Sequence, residues 1–161
     1  MLRCAVLCAG LGLLVSLLGA TPGLAVPVQR WDNGAPLGDY EIAPGASLVG
    51  VGLAYADLPD AQLRGAVLLG AHFDSARLIG ADLEGVSAVG AFFDGAWLNC
   101  VSAMGVSFEG ASLAGAVLAA GDFDGSAFAG ADLSGALAIE TSPVPLHEPR
   151  GSPPDGGRSQ R

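Results

Sequence analysis

The sequence predicts an all-β solenoid, a chain that bends every few residues and stacks its coils on one shared core. Three observations carry this. From Ala46 to Glu140 nineteen consecutive pentapeptides run without a slip, each centred on Leu, Phe or, three times, Ala. Two residues before each centre stands a small residue, as at Ala56, Ala61 and Ala66, and two residues after it stands mostly Gly, as at Gly80, Gly85 and Gly90. Finally, a period of five suits neither ordinary element. In an α-helix five residues overshoot a turn by roughly 140°, which smears the Leu column around every face. In a strand an odd period throws successive centres onto opposite faces. A bend at every repeat keeps them on one inside, and Gly supplies the backbone angles for it. Stacked coils then bury a core that no single repeat could bury alone.

Residues 1–25 read as a secretory leader. Arg3 gives a short positive start, and the 17 residues from Cys4 to Ala20 are uncharged and largely apolar. Pro22 breaks that stretch, and Gly23-Leu24-Ala25 place small residues before a cut between Ala25 and Val26. The competing reading is a retained anchor, but the stretch is short for a bilayer and carries three glycines. The chain is therefore expected to be secreted or periplasmic, with no stable membrane span once the leader is removed. Cys4 and Cys8 leave with it, so Cys100 remains alone and no disulfide can form within the mature chain.

Residues 26–45 carry Trp31, Tyr40 and Ile42 among prolines and glycines, and read as a cap. An open coil end exposes both core and backbone edge, a template for unwanted pairing; Trp31 and Tyr40 are expected to cover it. Residues 46–140 are the solenoid. Residues 141–161 hold Pro143, Pro145, Pro149, Pro153 and Pro154 with scattered Arg and read as a disordered tail, without an amphipathic helix to close the far end.

Charge narrows the function. The repeats hold eleven acids against Arg64 and Arg77, and the chain has no lysine. Such a surface repels nucleic acid and anionic lipid and favours basic protein surfaces or cations; no direct nucleic-acid binding is expected. Catalytic patterns are weak. His72 beside Asp74 has no evident nucleophile, and His147 lies in the tail. Gly65 to Gly70 has phosphate-loop spacing only because Gly recurs every fifth residue, and the lysine such a loop needs is missing. Asp122-x-Asp124-Gly125 echoes a calcium loop without its other ligands, and no Cys/His set suits zinc. The expectation is a protein without enzymatic activity, cofactor or metal.

Ala56-Asp57-Leu58, Ala81-Asp82-Leu83 and Ala131-Asp132-Leu133 give the A-D-L-x-x signature in literal form. With looser versions through residues 46–140, the chain resembles the pentapeptide-repeat proteins. The resemblance implies a right-handed quadrilateral β-helix with one repeat per side and four per coil. Nineteen repeats then make about 4.75 coils, roughly 23 Å tall at strand spacing. Side-chain volumes agree with an interior built this way. Where the centre shrinks to Ala88 or Ala103, the small place grows to Val86 or Val101; where it is Phe123 or Phe128, the small place is Gly121 or Ser126. Val106 with Phe108 breaks that trade, and four repeats per coil set Phe108 over Ala88 to absorb it, with Phe123 over Ala103. Leu98→Ala should cost about 2–5 kcal/mol as a buried cavity.

Counting by twenties sorts the surface into walls. The Leu58 side projects Ile79, Trp97, Val117, Leu137 and Ile139 beside Arg77, and the Leu48 side adds Val49, Val67, Leu69 and Val89. The Leu63 side shows Asp82 and Glu84, then Ser102 and Met104, then Asp122 and Asp124; the Leu53 side carries Asp74, Asp94 and Asp132. Large exposed apolar patches mark contacts, so Ile79, Trp97, Val117, Leu137 and Ile139 form the candidate surface for a protein partner or self-association. The leading reading is an exported, non-catalytic structural or protein-binding scaffold. The resemblance implies an alternative, an acidic DNA mimic inhibiting a DNA-binding enzyme such as a topoisomerase. Mimicry needs a continuous charge track and typically a dimer joined by C-terminal helices. Here Ser102 and Met104 interrupt the track, the tail is Pro-rich, and export separates the chain from chromosomal enzymes.

Overall fold

A computed structural model of the chain describes residues 26–141. Residues 1–25, with the leader and Ala25, and residues 142–161 of the tail lie outside the described residues.

The bend is made at the fifth place of each repeat. Gly50, Gly65, Gly70 and the glycines that follow there have φ between 60° and 73°. Tyr55, Asp60, Ser75, Cys100, Ala120 and Glu140 share the place and the left-handed angle, with φ between 52° and 63°. In most repeats the next repeat's first N–H returns to the centre carbonyl, as from Ala56 to Leu53 at 3.1 Å. A closed four-residue turn with positive φ at its third residue is the signature of a type II turn.

Between bends the chain makes single parallel bridges instead of long strands. Every parallel bridge joins residues twenty apart, as in Ser47–Val67–Ser87–Ser107–Ala127, so four repeats complete one circuit. Each rung is double-sided: Leu53 N–H donates to the His72 carbonyl at 2.7 Å, and His72 N–H to the Val51 carbonyl at 2.9 Å. The result is a four-sided β-helix.

Burial follows the register. Centres and small places alternate with exposed or half-exposed residues along the solenoid, and Leu98 has 0% exposure. Aromatic centres stack inside: Phe73 on Phe93 at 5.3 Å, and Phe108 on Phe128 at 5.0 Å. Phe108, one coil above Ala88, also meets Phe93 edge-on at 5.8 Å. Toward the far end burial weakens, with Ala131, Leu133 and Ala136 only partly covered.

The solenoid is preceded by a hairpin of β1 (Val26–Gln29) and β2 (Pro36–Tyr40), paired antiparallel. Val28 is buried within the main core, and Leu37, Tyr40 and Ile42 pack against it. The chain after β1 then adds to the first coil on the Leu58 side. Arg30 bridges Ala56 antiparallel, Asp57 N–H donates to the Gln29 carbonyl at 2.9 Å, and Trp31 N–H to that of Tyr55 at 3.0 Å. Those contacts occupy an edge that would otherwise invite pairing. Trp31 itself lies outside the core, on the outer wall, with its Nε1–H donated to the Ser75 carbonyl at 2.7 Å.

Candidate functional site

The five apolar residues singled out on the Leu58 side share one wall. Bridges run Asp57–Arg77–Trp97–Val117–Leu137, and Ile79 and Ile139 flank the same column one residue past their centres. Trp97, Leu137 and Ile139 are 41%, 48% and 53% exposed. The wall is concave in its middle. Ile79, Trp97 and Val117, with Asn99, Cys100, Ala119 and Ala120, line a groove of about 400 Å³. A groove lined almost wholly by apolar atoms, with few polar groups to orient a ligand, suits an apolar side chain better than a reacting substrate.

Aromatic contacts fix Trp97. The Trp31 ring lies 6.0 Å from it and 6.3 Å from Tyr55, and the Arg77 guanidinium sits 5.6 Å from its ring centre. Arg77 also approaches Asp57 at 3.5 Å, an ion pair without a hydrogen bond on Asp57 Oδ1. Nearby, Arg30 covers Tyr55 at 4.4 Å and holds Asp32 through two hydrogen bonds of 2.9 and 2.6 Å. Those bonds pull the Asp32 carboxyl below the usual carboxylate range and raise the Arg30 guanidinium above its own.

The acidic wall on the Leu63 side is less charged than its sequence suggests. Arg64 reaches up one coil to Asp82 at 3.2 Å and to Glu84, leaving Asp122 and Asp124 exposed further along. Adding twenty to Arg64 gives Glu84, a pairing the register contained and sequence reasoning missed. Several of the acids also work locally. Asp82, Asp122 and Asp132 each accept the N–H two residues ahead, at 3.1, 3.1 and 2.9 Å. In two of the three A-D-L repeats, at Asp82 and Asp132, the Asp thus locks its own turn; Asp57 does not, because Pro59 two residues ahead has no N–H to give. At Asp132 the Ser134 backbone N–H and hydroxyl hold the carboxyl below the usual range.

On the Leu53 side His72 stacks on Phe92 at 4.5 Å and faces Asp74 at 3.4 Å. The Ser112 hydroxyl donates to Asp94, which also accepts the Ala114 N–H at 3.0 Å. Among the described residues no group of three or more His, Cys, Asp or Glu could hold a metal ion, and no helix is long and apolar enough to cross a membrane.

The pattern of the pentapeptide repeats matches the chain in eight copies, over residues 46–85, 68–102 and 104–137. No curated protein matches it. Among solved structures, the chain is similar to HetL, a pentapeptide repeat protein involved in heterocyst differentiation regulation from the cyanobacterium Nostoc. Identity is 25%, coverage is 60% of this chain and 48% of HetL, and the TM-score is 0.56. A pentapeptide repeat protein of the Arabidopsis thaliana thylakoid lumen is 27% identical, covering 58% of this chain and 63% of its own, with a TM-score of 0.28. Another, from the cyanobacterium Cyanothece, is 23% identical over 63% of this chain and 90% of its own, with a TM-score of 0.21. The chain thus spans about half the length of HetL and under two thirds of the Arabidopsis protein. Such proteins form right-handed quadrilateral β-helices, the architecture described above.

Proposed function

We propose, from the premise that this chain belongs to the pentapeptide-repeat family, that it is an exported, non-catalytic solenoid that binds a protein through its Trp97 wall. The observation that carries the reading is the groove: an apolar depression about 400 Å³ in size, beside a tryptophan held by Trp31 and Arg77. An aromatic anchor already fixed before contact loses little freedom on binding, the usual condition for a strong contact residue. The leader pattern of residues 1–25, with small residues placed for a cut between Ala25 and Val26, supports export. Charge placement favours this reading over mimicry of DNA. Arg64 pairs with both Asp82 and Glu84 and offsets one of their two charges, which interrupts the wall as a duplex-like track of acids.

The test is a paired substitution. Ile79→Ser with Trp97→Ser should abolish recovery of the partner, or of a second copy, from the exported fraction. Val49→Ser with Val89→Ser, on the opposite wall, should leave it intact. Equal recovery by both variants would remove the Trp97 wall from consideration. N-terminal sequencing of the exported protein should begin at Val26; an intact Met1 in the cytosol would reverse the assignment of compartment.

A further inference from the structure

The groove lies directly below the point where the chain leaves the solenoid. Cys100 N–H donates to the Ala119 carbonyl at 3.0 Å and Ala120 N–H to that of Ile139 at 2.8 Å, so Cys100, Ala120 and Glu140 form one corner column. Glu140 therefore stands two coils above Cys100, about 10 Å at the spacing of neighbouring strands. Leu137 and Ile139, the top of the apolar wall, immediately precede the exit.

The sequence departs from the repeat past this corner. A twentieth repeat would put Pro145 in the fifth place, where every solenoid residue has positive φ. The proline ring locks φ near −65°. The segment Pro143-Val144-Pro145-Leu146 instead favours an extended left-handed helix that rises about 3.1 Å per residue and needs no backbone partners. Val144 and Leu146 are the only non-proline aliphatic residues of the tail.

We propose that residues 142–146 turn back along the Leu58 side and seat Val144 and Leu146 in the groove of this same chain. Four to six extended residues span about 12–19 Å, enough to bring Val144 level with Cys100 and Leu146 level with Ile79. Proline-rich segments dock on aromatic-lined grooves at low entropic cost because they are ordered in advance. Arg150, next along, comes within reach of the acidic Leu63 wall around the same corner. If the Trp97 wall is the partner surface proposed above, the tail competes for it and sets the partner's apparent affinity.

A disulfide trap tests the docking without any partner. In the full chain with Cys4→Ser and Cys8→Ser, Leu146→Cys is oxidised at high dilution and its bond to Cys100 is followed by peptide mass spectrometry. Ser152→Cys is the control. Loop length alone favours position 146 over 152 by about threefold; a seated segment raises that to tenfold or more through its effective concentration. Adding Ile79→Ser should return the rate at 146 to that of the control. Equal rates at 146 and 152, a rate indifferent to Ile79→Ser, or bonds only between chains would overturn the proposal, the last in favour of a second copy as occupant. Deleting residues 142–161 should strengthen partner or self-association. Trapping at 146 with no loss of partner in the Trp97 variant would sink the partner reading alone. Loss of the partner without trapping would sink the tail alone.

Discussion

Ser126 stands one coil above Val106, and its Oγ accepts the Val106 N–H at 2.9 Å while donating to the Ala103 carbonyl at 2.5 Å. In most other repeats the turn closes on itself, as from Ala111 N–H to Phe108 at 3.0 Å. Here a buried hydroxyl from the next coil stands between the two ends. Alanine is the common residue at this place, so the repeat pattern alone predicts that Ser126→Ala is harmless. The hydrogen bonds predict a loss of about 1–3 kcal/mol from a stranded buried N–H, read by urea denaturation. An unchanged midpoint would mean that the turn between Ala103 and Val106 closes unaided.

Gly121 and Phe123 trade volume within one repeat. A Cβ on Gly121 would lie 2.5 Å from Phe123 Cε2 and 3.1 Å from the Leu118 carbonyl oxygen. Gly121→Ala should therefore cost about 1–3 kcal/mol by overpacking. In the Phe123→Leu background the added cost should fall markedly, because the ring it strikes is gone. Additive losses in the double-mutant cycle would contradict the trade.

Backbone strain can be separated from packing at the corners. Gly90 has φ 63°, and nothing lies within 4 Å of the Cβ it lacks. Gly90→Ala should cost about 1–2 kcal/mol of conformational strain alone. The reverse change at a corner that already bears the strain, Ala120→Gly with φ 56° in the present chain, should stabilise by about 0.5–1 kcal/mol. Matching thermal shifts of opposite sign would support the left-handed corner; two losses would not.

Acid should weaken the fold only at low pH. The Asp32 carboxyl, bonded to Arg30, and the Asp132 carboxyl, bonded to Ser134, both titrate below their ordinary value in the folded chain. Their contribution is complete above the unfolded carboxylate pKa of about 3.9 and is lost as pH falls through the lower folded values. Denaturation midpoints should be flat from neutral pH to about 5 and then decline, less steeply in Asp32→Asn with Asp132→Asn. A decline that began near pH 6 would assign the loss to other groups.

Much of this was legible because periodicity turns sequence separation into spatial adjacency. The core centres, the bends and the apolar wall from Ile79 to Ile139 all follow from the period and a circuit of twenty. The same addition gives Arg64 against Glu84 and His72 against Phe92, contacts that were present in the register and went unread. Aperiodic chain carries no such rule of adjacency. Nothing in the spacing of residues 26–45 sends Val28 into the core and Trp31 onto the outer wall against Trp97. Ser126 was legible as a small residue beside Phe128, but its hydroxyl acts across coils, which a volume argument does not register.

The central proposal is that the Trp97 wall of this protein is a contact surface. Covalent footprinting of the protein lacking residues 142–161, which removes the tail as an occupant, within its native fraction and again after purification, tests it directly. The account predicts strong protection at Trp97, Leu137 and Ile139, with Val49, Leu69 and Val89 on the opposite wall labelled equally in both samples. Equal labelling of the Trp97 wall in the two samples, or protection confined to the Val49 wall, would contradict it.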